Sequence, residues 1–186
     1  MDRIIGLNIK KMFLDTNKKR AFQKYEQIVK NFKNTNVATD KIFQKKFNGF
    51  YRVRRNVEWQ KVYYAIMERG KTQTLSFERV LYELYNATGR VEASFASKLI
   101  HTLNNDMPIW DKFVLQNLGL KMPVCKGEKK IQKSIFLYQK IVNWYEQVLT
   151  TIEINQKITE FDGIFPEYKW FSETKKIDFL LWQIRD

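Results

Sequence analysis

The stretch NATGRVEASFASKLIHTLNNDMPIWDKFVLQNLGL, residues 86–120, decides the fold of this chain. It opens on a turn at Gly89, and apolar residues then recur at helical spacing as far as Leu103. A polar run that ends in Pro108 predicts a second turn. Asp111 then stands where a helix needs a cap, and Gly119 can end that helix. The stretch therefore predicts two helices joined by a proline-containing turn.

The rest of the chain is mostly of helical period as well. Strand-type alternation is best over residues 50–54, and that stretch is short. Two helices are predicted within 9–33, with a break at Asp15–Asn17. Asp40 and Ser76 are predicted to cap helices over 41–49 and 76–86. The remaining predicted helices cover 57–69, 128–149, 152–161 and a last segment around Ile177–Ile184. The sequence thus predicts an all-α fold of about 8–10 helices, as one compact domain over 1–186.

Composition excludes several classes of protein. With 44% apolar residues in 186, the chain has enough material for a core, and its single cysteine excludes a disulfide framework or a multi-cysteine zinc site. No apolar run approaches the length needed to cross a bilayer, and residues 1–15 lack the features of a secretory signal. We therefore expect a cytoplasmic protein without a membrane partner.

The positive charge is concentrated at one end. Residues 1–56 contain 15 Lys and Arg against 4 Asp and Glu, whereas the helical core over 57–186 contains 18 against 16. Such asymmetry predicts a polyanionic partner, above all nucleic acid. The phosphate-contacting candidates are Lys45, Lys46, Arg52, Arg54 and Arg55, since guanidinium groups match phosphate oxygens. The alternatives are a solvated basic face and, less favoured, an anionic membrane surface.

Sequence motifs for nucleotide, zinc or hydrolase chemistry are absent. There is no Walker loop, GxGxxG, HExxH or GxSxG, so no cofactor and no metal are predicted. His101 lies beside the apolar face of its helix and is interpreted as structural or surface-exposed. Cys125 is interpreted as an ordinary free thiol.

Residues 86–120 resemble the helix-hairpin-helix DNA glycosylase superfamily. The resemblance rests on Thr88–Val91 at a hairpin, Phe95–Ile100 on the following helix, and Pro108–Asp111 at an aspartate that opens the next helix. It implies an all-α fold, in one or two lobes, with Asp111 as the catalytic carboxylate. It also implies that backbone amides near Gly89 and Arg90 hold a DNA phosphate.

The chain departs from the superfamily at two positions of this segment. Val91 stands where the hairpin has a second glycine, and Ala93 stands where some members have a Schiff-base lysine. Lys98 follows more than a helical turn later, so we expect no lyase activity through it. A single cysteine also excludes an iron–sulfur cluster.

Several interpretations remain open at this point. Asp111 is either a helix cap alone or a cap with a catalytic role. Trp59, Tyr63 and Trp110 either stack on an extruded base or belong to the core, to which we also assign Trp144, Trp170 and Trp182. Three hypotheses follow: a non-catalytic DNA-binding protein on a glycosylase-like scaffold, a monofunctional DNA glycosylase using Asp111, and a protein-interaction module whose basic face meets an acidic partner.

Overall fold

The structure is a computed structural model that describes residues 2–13 and 16–184, and over these residues it contains helices and no strand. The helices are α1 (Asp2–Ile5), α2 (Ile9–Met12), α3 (Thr16–Phe32), α4 (Lys41–Tyr51), α5 (Val57–Arg69), α6 (Phe77–Thr88), α7 (Ala93–Leu103), α8 (Lys112–Asn117), α9 (Gly127–Val148), α10 (Ile152–Ile164), a 3-10 turn (Pro166–Tyr168) and α11 (Glu173–Gln183). The all-α prediction is confirmed. The described residues hold 11 α-helices rather than 8–10, because α1 is too short to give a periodic pattern.

The capping residues expected from the sequence begin the helices that they precede. Asp40 Oδ1 accepts hydrogen bonds from the amides of Ile42 (2.7 Å) and Phe43 (2.9 Å). Ser76 Oγ accepts one from the amide of Arg79 at 3.1 Å. These local bonds satisfy amides that the first turn of a helix leaves without partners, so the starts of α4 and α6 are determined by the sequence itself.

The structure differs from the sequence-based expectation at the strand candidate over 50–54 and at Trp170. The segment 50–54, the best strand candidate, forms no strand: α4 runs through Tyr51, and Arg52 then adopts a left-handed conformation with φ of 54°. Trp170 is not a core residue, since 46% of it is exposed. Two helices are present on either side of the break predicted at Asp15–Asn17, but α3 already begins at Thr16, and Asp15 lies outside the described residues.

Helix α7 lies at the centre of the molecule. Nine of its 11 residues are buried, and α6 packs against it. An aromatic cluster joins the two ends of the chain, with the rings of Phe22 on α3 and Phe179 on α11 only 4.7 Å apart between centroids. The basic N-terminal third therefore shares one core with the C-terminal helices.

None of the helices over the described residues is both long enough and apolar enough to cross a membrane. The longest, α9, carries lysines along its exposed side at Lys129, Lys133 and Lys140. The absence of a spanning helix from these residues agrees with the sequence, in which charged residues interrupt every apolar run.

Candidate functional site

The turn between α6 and α7 has the geometry of a hairpin. Helix α6 ends at Thr88, and Gly89 adopts a φ of +68°, a backbone conformation that favours glycine. Helix α7 starts three residues after Arg90, at Ala93, without a side-chain cap. Gly89 and Arg90 are exposed, whereas Glu92 and Ala93 at the start of α7 are buried.

Asp111 caps α8 and is held by a well-bonded loop. Its Oδ1 accepts the amide of Phe113 at 2.8 Å. The preceding loop is fixed at Trp110, whose amide donates to Ser97 Oγ on α7 (2.9 Å), and at Met107, whose carbonyl lies 2.7 Å from His101 Nδ1. The cap bond engages one of the two carboxylate oxygens. The predicted cap is thus confirmed.

Asp111 stands at the edge of a cleft of about 640 Å³. Helices α3, α4, α7, α8 and α11 all contribute to its walls. Its lining comprises Ala21, Lys24, Gly49, Phe50, Tyr51, Arg52, Lys98, Asp111, Phe113, Trp182 and Gln183. A carboxylate, three cationic side chains and four aromatic rings therefore meet in one concavity, a combination typical of a ligand site.

Lys98 is the buried cation of this cleft. Only 8% of the residue is exposed, and its Nζ donates to Ser94 Oγ at 3.1 Å and to the carbonyl of Tyr51 at 3.4 Å. No carboxylate oxygen of the described residues lies within 4.0 Å of it. Burial lowers the pKa of Lys98; Asp111 and Asp178 oppose that shift, whereas Lys175 and Arg52 reinforce it. An amine of lowered pKa is present more often in its neutral, nucleophilic form.

A fully buried ion pair lies behind the aromatic wall of the cleft. Lys175 Nζ is 2.8 Å from Asp178 Oδ2, both side chains are 0% exposed, and Tyr145 donates to Asp178 Oδ1 at 3.3 Å. The ammonium group faces the rings of Tyr25, Phe50, Phe179 and Trp182 at 4.5–5.7 Å. Burial lowers the pKa of Lys175 and raises that of Asp178, while their attraction opposes both shifts.

The predicted phosphate-binding residues divide into two groups. Lys45, Lys46, Arg52, Arg54, Gly89 and Arg90 are exposed and can reach a ligand. Arg55 is different: its guanidinium forms a two-point ion pair with Glu92, at 2.8 and 3.1 Å, and lies over the ring of Phe95. With 30% of its side chain exposed and its charge paired, Arg55 is less available to a ligand than the other six, and its contact with phosphate stays a prediction.

The predicted stacking residues are core residues. Trp59 is 4% exposed, Tyr63 is 0% exposed and Trp110 is 2% exposed, so none presents an open ring face to a base. Trp59 and Tyr63 stack on each other at 4.8 Å, and Tyr63 donates a hydrogen bond to the carbonyl of Phe95. The rings that border the Asp111 cleft are those of Phe50, Tyr51, Phe113 and Trp182.

Sequence reasoning missed the functional candidates that depend on distant elements. The spacing of Lys98 from the hairpin argues against a Schiff-base role, yet its side chain lines the same cleft as Asp111. Its one sequence signal was its position on the apolar side of α7, where a lysine needs an explanation. Lys175 and Asp178 gave no such signal, because a Lys–Asp pair three residues apart is usual on exposed helix faces.

Among the described residues no group of three or more His, Cys, Asp and Glu side chains is arranged to hold a metal ion. His101 is completely buried, and Cys125 is a free, partly buried thiol. Comparison of the chain with models of protein families, with curated proteins and with solved structures finds no match. Function must therefore be inferred from the geometry and chemistry of the clefts.

Proposed function

We propose that the protein is a DNA N-glycosylase that accepts an extruded nucleotide in the cleft between Lys98 and Asp111. The observation that carries this proposal is the presence of a buried amine and a carboxylate in one aromatic-walled cleft. Lys24 and Arg52, both exposed at that cleft, supply the positive charge that a phosphate backbone requires. The resemblance of residues 86–120 to helix-hairpin-helix glycosylases points in the same direction.

Asp111 supplies the carboxylate that bond cleavage needs. As the N-glycosidic bond breaks, the departing base takes the bonding electrons, and positive charge develops on the sugar. A carboxylate beside the sugar stabilises that charge or accepts a proton from an attacking water. The cap bond from Phe113 fixes the orientation of Asp111 before substrate binds.

Lys98 supplies an alternative nucleophile to water. Its neutral amine attacks C1′ of the sugar while the base leaves with the bonding electrons and a proton. Opening of the sugar ring then leaves an imine between Lys98 and C1′, which borohydride reduces to a stable amine. This route reverses the expectation that Lys98 has no such role, and it rests on the position of its side chain in the cleft.

The test is base release from duplexes that each contain one alkylated, oxidised, deaminated or mismatched base. We expect at least one of these duplexes to lose its base. Asp111→Asn should lower the rate about 100-fold or more, since proton-transfer groups contribute on that scale. Asparagine also caps helices well, so this variant should keep α8 and the DNA affinity. Lys98→Met should abolish the borohydride-trapped complex.

Asp106→Asn is the matched control, because Asp106 is an exposed carboxylate in the same loop. It should release the base at the wild-type rate. Equal rates for Asp111→Asn and Asp106→Asn would refute the role of Asp111. DNA binding without release of any base would refute the glycosylase and leave the second candidate below.

The second candidate is a DNA-binding protein without catalytic activity. The 8% exposure of Lys98 favours it, because a deeply buried amine is hard for a substrate to reach. Ala93, at the position of the superfamily's lysine, favours it as well. This candidate requires the same basic surface but no chemistry in the cleft.

Either candidate predicts a specific salt dependence of DNA binding. Arg52→Ala and Arg54→Ala should each flatten the slope of log Kd against log salt concentration by about one unit. Arg55→Ala should change the slope less, because its guanidinium is paired with Glu92. Fluorescence anisotropy with a labelled duplex across a salt series measures all three slopes. A larger change for Arg55→Ala than for Arg52→Ala would contradict this assignment of the interface.

A further inference from the structure

A second cleft lies on the other side of the hairpin, between α5 and the end of α6. Its volume is about 520 Å³. The lining residues are Arg54, Arg55, Asn56, Glu58, Trp59, Val62, Ala87, Thr88 and Arg90. It shares no lining residue with the cleft at Asp111, so it is a separate site.

Two arginines give this cleft its charge. Arg54 and Arg90 are both exposed, and neither forms an ion pair with a described residue. Arg55, which lies between them in the lining, is neutralised by Glu92 at 2.8 Å. Glu58 brings one negative charge against the two remaining positive ones, so the cleft keeps a net positive charge.

Trp59 adds a neutral donor without an acceptor. Its side chain is buried, with 4% of the residue exposed, and its indole Nε1 has no hydrogen-bond partner among the described residues. Stacking on Tyr63 and edge contact with Phe95 hold the indole in position. Buried indole N–H groups usually have a partner, so this donor indicates an acceptor that the described residues do not supply.

The start of α5 provides a third favourable element. Asn56 caps this 13-residue helix by accepting the amide of Trp59 at 3.1 Å. The amides of the first turn and the helix dipole place partial positive charge at the same end of α5. The helix start, the indole N–H and the two guanidinium groups therefore all favour an anion.

We propose that this second cleft binds a phosphate group, with Arg54 and Arg90 as charged donors and Trp59 as the neutral donor. Phosphate suits the site better than a carboxylate does, because its several oxygens can accept from divergent donors at once. The phosphate is either part of a DNA backbone or part of a free phosphate ester. The DNA source rests on the proposed function, whereas the anion site does not.

The experiment follows the indole N–H signal of Trp59 in the ¹H–¹⁵N spectrum of the full chain. Trp59→Phe identifies the signal among the five tryptophans and keeps the aromatic stacking. Titration with inorganic phosphate, against sodium chloride at equal ionic strength, should shift this signal in a saturable way. Arg54→Ala or Arg90→Ala should raise the Kd for phosphate about tenfold, as loss of a charge-assisted hydrogen bond predicts. Lys133→Ala, on α9, should leave the Kd unchanged.

A short DNA duplex in place of phosphate distinguishes the two sources. If both phosphate and duplex shift the Trp59 signal, the site holds a backbone phosphate. If phosphate shifts it and the duplex does not, the site is confirmed for a free phosphate ester, and the proposed DNA function loses support independently. A Trp59 signal that neither titrant moves beyond the chloride control would overturn the inference.

Discussion

Asp178→Ala should lower the free energy of unfolding by about 3–5 kcal/mol, because it leaves the ammonium of Lys175 buried without a counter-charge. Both side chains are 0% exposed, so water cannot replace the lost carboxylate. Against a total stability of about 5–15 kcal/mol for a domain of this kind, this is a large loss. Equilibrium unfolding in urea, monitored by circular dichroism, measures it.

The double variant Lys175→Met/Asp178→Leu distinguishes the effect of removing the whole ion pair from the effect of leaving one charge unpaired. Buried ion pairs can often be replaced by apolar residues of similar volume at little cost. We therefore expect the double variant to recover most of the stability that Asp178→Ala loses. If Asp178→Ala were as stable as the wild type within about 0.5 kcal/mol, the pair could not be desolvated as described.

Acidification from pH 7 to pH 5 should lower the free energy of unfolding by about 2 kcal/mol through His101 alone. The pKa of His101 is lowered from 6.5 to about 3, mainly by burial and to a lesser extent by the charge of Lys175, while the hydrogen bond with the Met107 carbonyl opposes the shift. Between these two values the unfolded chain binds a proton that the folded protein excludes. Stability due to His101 is therefore complete above pH 6.5 and is lost as the pH falls towards 3.

Urea unfolding of the wild type and of His101→Gln at a series of pH values tests this expectation. Glutamine does not titrate, so the mean slope between pH 6.5 and 5 should be shallower in the variant by about 1 kcal/mol per pH unit. Asp178, whose pKa burial raises, acts in the opposite direction in both proteins and cancels from the difference. Parallel slopes would mean that His101 takes up its proton in the folded state.

The fold was predictable because its determinants are local. The caps at Asp40, Ser76 and Asp111 and the apolar spacing within each helix are properties of neighbouring residues, and the structure reproduces them. Gly119 likewise follows α8 with a φ of +66°, as expected for a residue that ends a helix. The spacing of apolar residues does not predict a helix as short as α1, because four residues make only about one helical turn.

The candidate site was predictable only where it is local as well. Asp111 was identified from its own turn, and its placement at the start of α8 is confirmed. The partners of the site come from distant segments. Lys98 Nζ lies over the ring of Tyr51 on α4, and Trp182 on α11 lines the same cleft. Arg55 pairs with Glu92 from 37 residues away. No local pattern encodes these contacts. Lys175 and Asp178 on α11 likewise carry no local sign of burial, because a Lys–Asp pair three residues apart is usual on exposed helix faces, yet both side chains are buried.

The central, buried helix α7 fixes the distance between the hairpin and the Asp111 loop. An 11-residue helix spans about 16 Å, and α7 carries the hairpin at one end while Ser97 and His101 fasten the Asp111 loop along its length. Because nine of its residues are buried, this length cannot stretch or slide without breaking the core. One inserted residue would rotate everything beyond it by about 100° and turn Lys98 out of register with the cleft. A ligand that contacts both ends of α7 must therefore have groups that match this constant spacing.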